Sequence, residues 1–369
     1  MDAKLNYQEL MDQHLKILSD LQYASGLFAA SSKEVSTGYD KSWLRDNFYE
    51  CLAFEVLGDW DTVEKTYDAV LSIFLKHESK IDWAIANKPS YRHEYIHARF
   101  HPETFEEFWE EWGNKQNDSI GAILYQIGEI ESRKAGSILE SDDHIRITEK
   151  LVRYLASIEY WHDRDSGMWE ENEEVHASSV GACVAGLKSV ARLKQIEVDP
   201  ELISKGEDAL NTLLPRESQG KFVDLAQLSL IYPYNVVTKE QADQILEHLE
   251  YHLLRERGVI RYKNDYYYNR NQDGYSEEAE WTFGLAWLAI IHEQRGDHEK
   301  AQQFLDTLTA LDTERGIPEL YFSNSPEYNE NTPLGWSESL FIVALYRVNK
   351  MFIEGRHADP SVHSKKPTS

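Results

Sequence analysis

The sequence predicts an all-α protein: a single domain of six helical hairpins closed into an (α/α)6 barrel. Three observations lead there. Apolar residues recur with a period near 3.6 along most of the 369 residues. The period-2 alternation of half-buried strands is nearly absent. Connections between the helical segments alternate between very short and long.

Helices are expected over about 7–30, 43–57, 60–80, 118–134, 142–161 and 176–195. They continue over about 200–214, 223–231, 239–254, 276–295, 298–311 and 333–352. The clearest short connections are Gly58-Asp59 and Gly296-Asp297, in which Gly ends one helix and Asp caps the next. Longer connections follow the odd-numbered helices, at about 31–42, 81–117, 162–175, 215–222, 255–275 and 312–332. Short connections join antiparallel neighbours, so six hairpins with their long loops at one end describe a closed ring. An open solenoid would carry a recognisable repeat, and the two Gly-Asp turns are the only echo of one. No Pro/Gly/Ser-rich linker divides the chain. One domain is expected from Met1 to about Glu354, followed by a disordered tail over 355–369.

Composition narrows the function. Thirty-eight basic residues against 64 acidic ones give a net charge of −26, which argues against nucleic acid and anionic membrane surfaces. No apolar run approaches a membrane span, and the N-terminus lacks the apolar region of a signal peptide. A cytoplasmic protein is expected, and Asn117-Asp118-Ser119 then carries no weight as a glycosylation site. Cys51 and Cys183 sit in apolar helical stretches and read as buried thiols. The chain holds 10 Trp and 21 Tyr, several beside Gly, Asn and Asp in loops. Such clusters suit sugars, whose ring faces lie on aromatic rings while their hydroxyls need hydrogen bonds.

The densest chemical signal is Trp169-Glu170-Glu171-Asn172-Glu173-Glu174. Crowded carboxylates beside a Trp raise one another's pKa, which suits a general acid near neutral pH. Taken alone, the stretch reads as a solvated acidic turn. Its companions change that. Trp43-Leu44-Arg45-Asp46, Trp112-Gly113 with Gln116-Asn117-Asp118, Arg261-Tyr262 with Asp265 and Tyr267-Tyr268-Asn269, and Glu319 all fall on long loops. Helices alternate in direction, so those loops share one rim of the barrel.

In this order, these motifs resemble those of glycoside hydrolase family 15, the glucoamylase-like enzymes, and of the N-terminal domain of phosphorylase kinase α and β subunits. The resemblance runs over about 40–348. It implies that Glu170 is the proton donor. Glu319, 17 residues before Trp336, is implied to be the base of an inverting hydrolysis. Arg45 and Asp46 would grip the hydroxyls of a terminal glucose, and Trp43, Trp112 and Trp169 would wall the pocket. Glu171 would hold a hydroxyl on the leaving-group side. Asn117, Asp118, Arg261 and Trp336 complete the implied sugar contacts. The implied substrate is a small α-glucoside or gluco-oligosaccharide, with no cofactor and no metal; the sequence names no protein partner. Gly167 and Lys263 depart from the family pattern, which has Asp and Pro there. Asn331-Thr332-Pro333-Leu334-Gly335-Trp336 and the stretch from Glu280 to Trp287 read much like the kinase subunits. A sugar-binding regulatory module is therefore the alternative.

Other signals carry less. His93-Glu94-Tyr95-Ile96-His97 has the spacing of a zinc-protease motif. That chemistry needs both His on one face of a stable helix and a third ligand, and Pro89 and Pro102 leave room for only a short helix. Ser178-Ser179 reads as a helix cap, not a nucleophile. One tyrosine of Tyr266-Tyr267-Tyr268 is expected at the pocket edge.

Overall fold

The computed structural model describes residues 3–108, 110, 112–269 and 277–350. Among them the chain forms helices α1 (Ala3–Asp20), α2 (Leu44–Leu57), α3 (Trp60–Lys76), α4 (Glu78–Asn87), α5 (Asn117–Arg133) and α6 (Asp142–Ile158). There follow α7 (Ala177–Val190), α8 (Pro200–Leu213), α9 (Lys239–His252), α10 (Phe283–Gln294), α11 (His298–Thr309) and α12 (Gly335–Val348). A 3-10 helix occupies Leu225–Leu230, between α8 and α9.

These elements form an (α/α)6 barrel. The inner ring runs α2, α5, α7, the 225–230 helix, α10 and α12, and α12 closes back on α2. Outside it, α3 lies on α2, α6 on α5, α8 on α7, α9 on the 225–230 helix, α11 on α10 and α1 on α12. The sequence of each ring explains its place. Inner helices are walled on all sides, so α10 is buried without a break from Phe283 to His292. Outer helices bury one stripe; α6 buries Ile147, Leu151, Leu155 and Ile158 at helical spacing. The inner pair α5 and α7 approaches backbone to backbone: a Cβ on Gly186 would lie 2.5 Å from the carbonyl oxygen of Gly121. Caps set the starts, as where Asp59 accepts from the Thr62 amide and Asp297 from that of Lys300. Gly58 leaves α2 in the left-handed conformation at φ 78°.

Several expectations need correction. The helix expected over 60–80 breaks at His77, and α4 takes up part of the expected 81–117 loop. The first helix ends at Asp20, not near 30, because the chain from Leu21 turns back to pair Gln22 with Phe28. The segment near 223–231 is a 3-10 helix opened by a capping box from Asp224 and Gln227. The helix expected from 276 starts at Phe283, behind a short strand; residue 276 and the tail over 355–369 lie outside the described residues.

Four two-residue strands fasten the rim. β1 (Ser42–Trp43) pairs antiparallel with β2 (Arg99–Phe100), and β3 (Glu280–Trp281) with β4 (Leu320–Tyr321). Segments this short leave no periodic trace in sequence.

Candidate active site

The long loops over 31–42, 162–175, 255–275 and 312–332 each contribute a side chain to one cavity. Its lining includes Tyr39, Trp43, Arg45, Asp46, Trp169, Glu170, Arg261, Tyr267, Trp281, Phe283, Glu319 and Trp336. β1 and the first turn of α2 deliver Trp43, Arg45 and Asp46. The turn before α7 delivers Trp169 and Glu170. Glu319 enters one residue before β4.

The floor is aromatic. Phe283 and Trp336 stack at 4.7 Å and 6°, and Tyr49 stacks on Trp336 from beneath at 4.2 Å. Trp169 lies 5.8 Å from Trp281 and 6.4 Å from Trp336. Its indole N–H is anchored by Asp224 at 2.7 Å. Such a surface offers flat apolar area to the face of a sugar ring.

Glu170 stands on this floor in a strained turn. Its φ is 64°, a left-handed value that is uncommon outside Gly and clusters at functional sites. The chain reaches this conformation through Gly167, also at φ 64°. Arg45 donates to Glu170 Oε1 at 3.3 Å, while its other nitrogen donates to Gln116 at 2.8 Å and Asp118 at 3.1 Å. Burial pushes the Glu170 carboxyl up to about 7; Arg45 opposes the rise and Asp46 adds to it. Burial likewise raises Asp46, to about 6, against the pull of Arg45.

Glu319 is buried, and its carboxylate meets only donors. Asn329 and Asn331 donate to Oε2 at 2.5 and 2.7 Å, and the Tyr39 hydroxyl donates to Oε1 at 3.1 Å. Burial raises Glu319 to about 7, and the three hydrogen bonds pull against that rise. The Tyr39 hydroxyl also bonds that of Tyr267 at 3.1 Å, which joins the first and fifth rim loops beside Glu319.

Of the remaining anticipated residues, Trp112, Asn117, Asp118 and Glu171 stand behind the wall. Trp112 packs edge-on against Trp43 at 6.0 Å, with Arg99 over its other side at 4.4 Å. Asn117 is bound through its side chain to Asp163 and through its backbone to Asp165, each at 2.9 Å. Asp118 holds Arg45. Glu171 is taken up by Arg261 at 2.9 Å, Tyr262 at 2.6 Å and Lys221 at 3.1 Å. Its burial opposes charge, yet these partners hold it below the usual carboxylate range. Arg261 reaches the cavity itself, with its guanidinium clamped by both oxygens of Asp265 at 2.7 Å. Sequence reading missed Tyr39, Asn329 and Phe283. The pair Asn329 and Asn331, ten and twelve residues beyond Glu319, was the available signal for the amides.

The zinc-like stretch is not built for metal. The 3-10 turn Arg92–Glu94 ends at once in extended backbone at Tyr95, so His93 and His97 share no helical face. The Glu94 carboxylate is consumed by the amides of Ser90 and Tyr91.

Comparison with known proteins agrees with this fold. The sequence pattern described as glycosyl hydrolases family 15 matches residues 7–354. The phosphorylase b kinase regulatory subunit alpha, skeletal muscle isoform, of Rattus norvegicus is 25% identical, over 92% of this chain and 32% of its own length. A probable phosphorylase b kinase regulatory subunit alpha of Caenorhabditis elegans is 23% identical, over 88% of this chain and 32% of its own. This chain thus spans about a third of the length of these relatives. Among solved structures, a glycosidase variant in complex with glucose superposes with a TM-score of 0.79 at 18% identity, covering 95% of this chain and 99% of that one. A glucoamylase from Saccharomycopsis fibuligera gives 0.68 at 14% identity, covering 95% and 96%. A bacterial glucoamylase complexed with acarbose gives 0.69 at 14%, covering 93% and 56%.

Proposed function

This chain belongs to glycosyl hydrolase family 15, and on that footing we propose that it is an inverting, exo-acting hydrolase of small α-glucosides. One observation carries the reading. Two carboxyl groups with opposite surroundings line the same aromatic-floored cavity: half-buried Glu170, poised near neutrality beside one arginine, and buried Glu319, ringed by three hydrogen-bond donors.

In this reading Glu170 gives its proton to the glycosidic oxygen as the bond to the anomeric carbon breaks. Glu319 takes a proton from water as the water oxygen attacks that carbon from the opposite face. The products are glucose, inverted at the anomeric carbon, and the leaving alcohol. Arg45 and Asp46 hold the hydroxyls of the terminal sugar on the floor of Trp169 and Trp336. Arg45 also keeps Glu170 oriented, and Asp118 and Gln116 keep Arg45 in place. The chemistry calls on no metal or cofactor. The proposal includes a cytoplasmic setting, supported by the two cysteines, which are buried and unpaired.

The decisive experiment is a panel of maltose, isomaltose, trehalose, kojibiose and nigerose, followed by NMR for the first-formed anomer. β-Glucose from the attacked, non-reducing unit supports the proposal; α-glucose from that unit overturns inversion, the leaving unit keeping its own configuration in either case. A second reading, a saccharide-binding regulatory module, is favoured by the likeness to phosphorylase b kinase regulatory subunits. It expects sugar binding by calorimetry without turnover on any member of the panel.

A further inference from the structure

The hydrogen bonds around Glu319 have a direction built into them. An amide side chain has a donor end and an acceptor end of nearly the same shape. For Asn331 the choice is set by Glu319, whose ionised carboxylate only accepts and so takes Nδ2 at 2.7 Å. The Thr37 hydroxyl, which can donate or accept, then donates to Oδ1 at 2.6 Å, and the amide is keyed between the two, with Thr37 holding it in place. Turning that amide over would set its carbonyl against the carboxylate, acceptor against acceptor. Asn329 adds a second donor to the same oxygen. Its own Oδ1 has no hydrogen-bond partner among the described residues, so Asn331 is the keyed member of the pair.

A carboxylate offers about four acceptor positions, two on each oxygen. The two amides fill both positions on Oε2, and Tyr39 fills one on Oε1. One position remains, on Oε1, on a side chain that lines the cavity.

We infer that Asn331, held in place by Thr37, and its companion Asn329 are positioning residues that hold Glu319 ionised and leave Oε1 as its sole proton-accepting atom. The inference rests on the reading of Glu319 as the base. During the reaction one O–H bond of water breaks and its proton passes to Oε1. The hydroxide oxygen bonds the anomeric carbon, the glycosidic bond breaks, and the leaving oxygen takes the proton of Glu170. Glu319 ends protonated and Glu170 ionised, and exchange with solvent restores both. A buried carboxyl resists charging, and the keyed amides counter that resistance without placing a cation beside the developing positive charge on the sugar. Thr37 lies outside the cavity wall, so it acts only through Asn331.

The test is a 13C NMR titration of the Glu319 side-chain carboxyl in the full chain, its resonance identified by loss in E319Q. Thr37→Val keeps the shape and removes the key. Its Glu319 midpoint is expected to rise by about half a pH unit, and that of Asn331→Ala by about one unit or more. Thr37→Ser, which keeps the hydroxyl, is expected to restore the wild-type midpoint. The acidic limb of kcat/KM should move with the midpoint while KM stays constant. An unmoved midpoint in folded Thr37→Val overturns the inference, as does a lower melting temperature with no titration shift. A shifted midpoint in a protein that hydrolyses no glucoside sinks the hydrolase reading and leaves the positioning intact. Hydrolysis with an unmoved midpoint does the reverse.

Discussion

The backbone of Gly113 seats directly on that of Glu170: a Cβ at position 113 would lie 2.5 Å from the Glu170 carbonyl oxygen. The loop before α5 therefore sets how far the turn bearing Glu170 can retreat from the cavity. Gly113→Ala is expected to displace that turn and lower kcat by about 10²-fold, since misplacement by about an ångström costs that much. Steady-state kinetics on the best substrate of the panel checks it. Unchanged kcat in a folded variant would show that the turn has slack.

Removing either carboxyl should abolish turnover while sparing binding. Glu170→Gln and Glu319→Gln each keep size and hydrogen-bonding capacity but cannot exchange a proton as required. Each is expected to lower kcat by about 10²–10⁴-fold or more, with glucose affinity by calorimetry close to wild type. Full activity in either variant removes that residue from the mechanism.

The pH profile follows from the two surroundings. In the proposed mechanism Glu319 works ionised, so activity is expected to fall as pH drops below its value of about 7. Glu170 there works protonated, so activity is expected to fall as pH rises above its own value of about 7. A narrow bell centred near neutrality is expected for kcat/KM. In Arg45→Met the cation that opposes the rise of Glu170 is gone, so the alkaline limb should move to higher pH. A movement to lower pH would refute this account of Glu170.

The loop that bears Glu319 is pinned from outside the ring. His14 of α1 bonds Glu338 of α12 at 2.6 Å and faces Asp312 at 3.4 Å; the other oxygen of Glu338 accepts from the amide of Ile317. Burial works against charge on His14, yet the two carboxylates raise it to about 9. Its folded value lies above the unfolded one of 6.5. The stabilisation is thus complete below about pH 6.5 and is lost as pH climbs through about 9. Wild type should lose more melting temperature than His14→Gln between pH 6 and 9.5. At pH 6 the variant should be less stable by about 3 kcal/mol, the scale for breaking a buried pair. Equal pH dependence of the two would discount the network.

Sequence carried the barrel because helical periodicity is a repeated signal, renewed at every turn of α2, α6 and α10. It failed where one residue decides. A single non-helical His77 separates α3 from α4, and a strand such as Glu280–Trp281 is too short to alternate. The site divided the same way. Arg45, Asp46, Glu170 and Glu319 were legible because each sits in a run of unusual residues. Tyr39 and Thr37 stand singly in irregular loops, and nothing local marks them; Asn329 is marked only by its spacing from Asn331 and Glu319. Thr37 and Asn331 meet across 294 positions, a proximity that exists only once the ring is closed.

That closure has a consequence for biosynthesis. Trp43, Arg45 and Tyr39 leave the ribosome early, Glu170 midway and Glu319 late. The helix that shuts the circle, α12, emerges last and docks on α2, while Gly335 bonds Ala30 and Ser31 bonds Pro333. No fragment that stops short of α12 can own the aromatic floor, because Trp336 is its centre. On the proposed function a nascent chain is therefore expected to be inert until α12 has docked, and sugar affinity to report that the circle has shut.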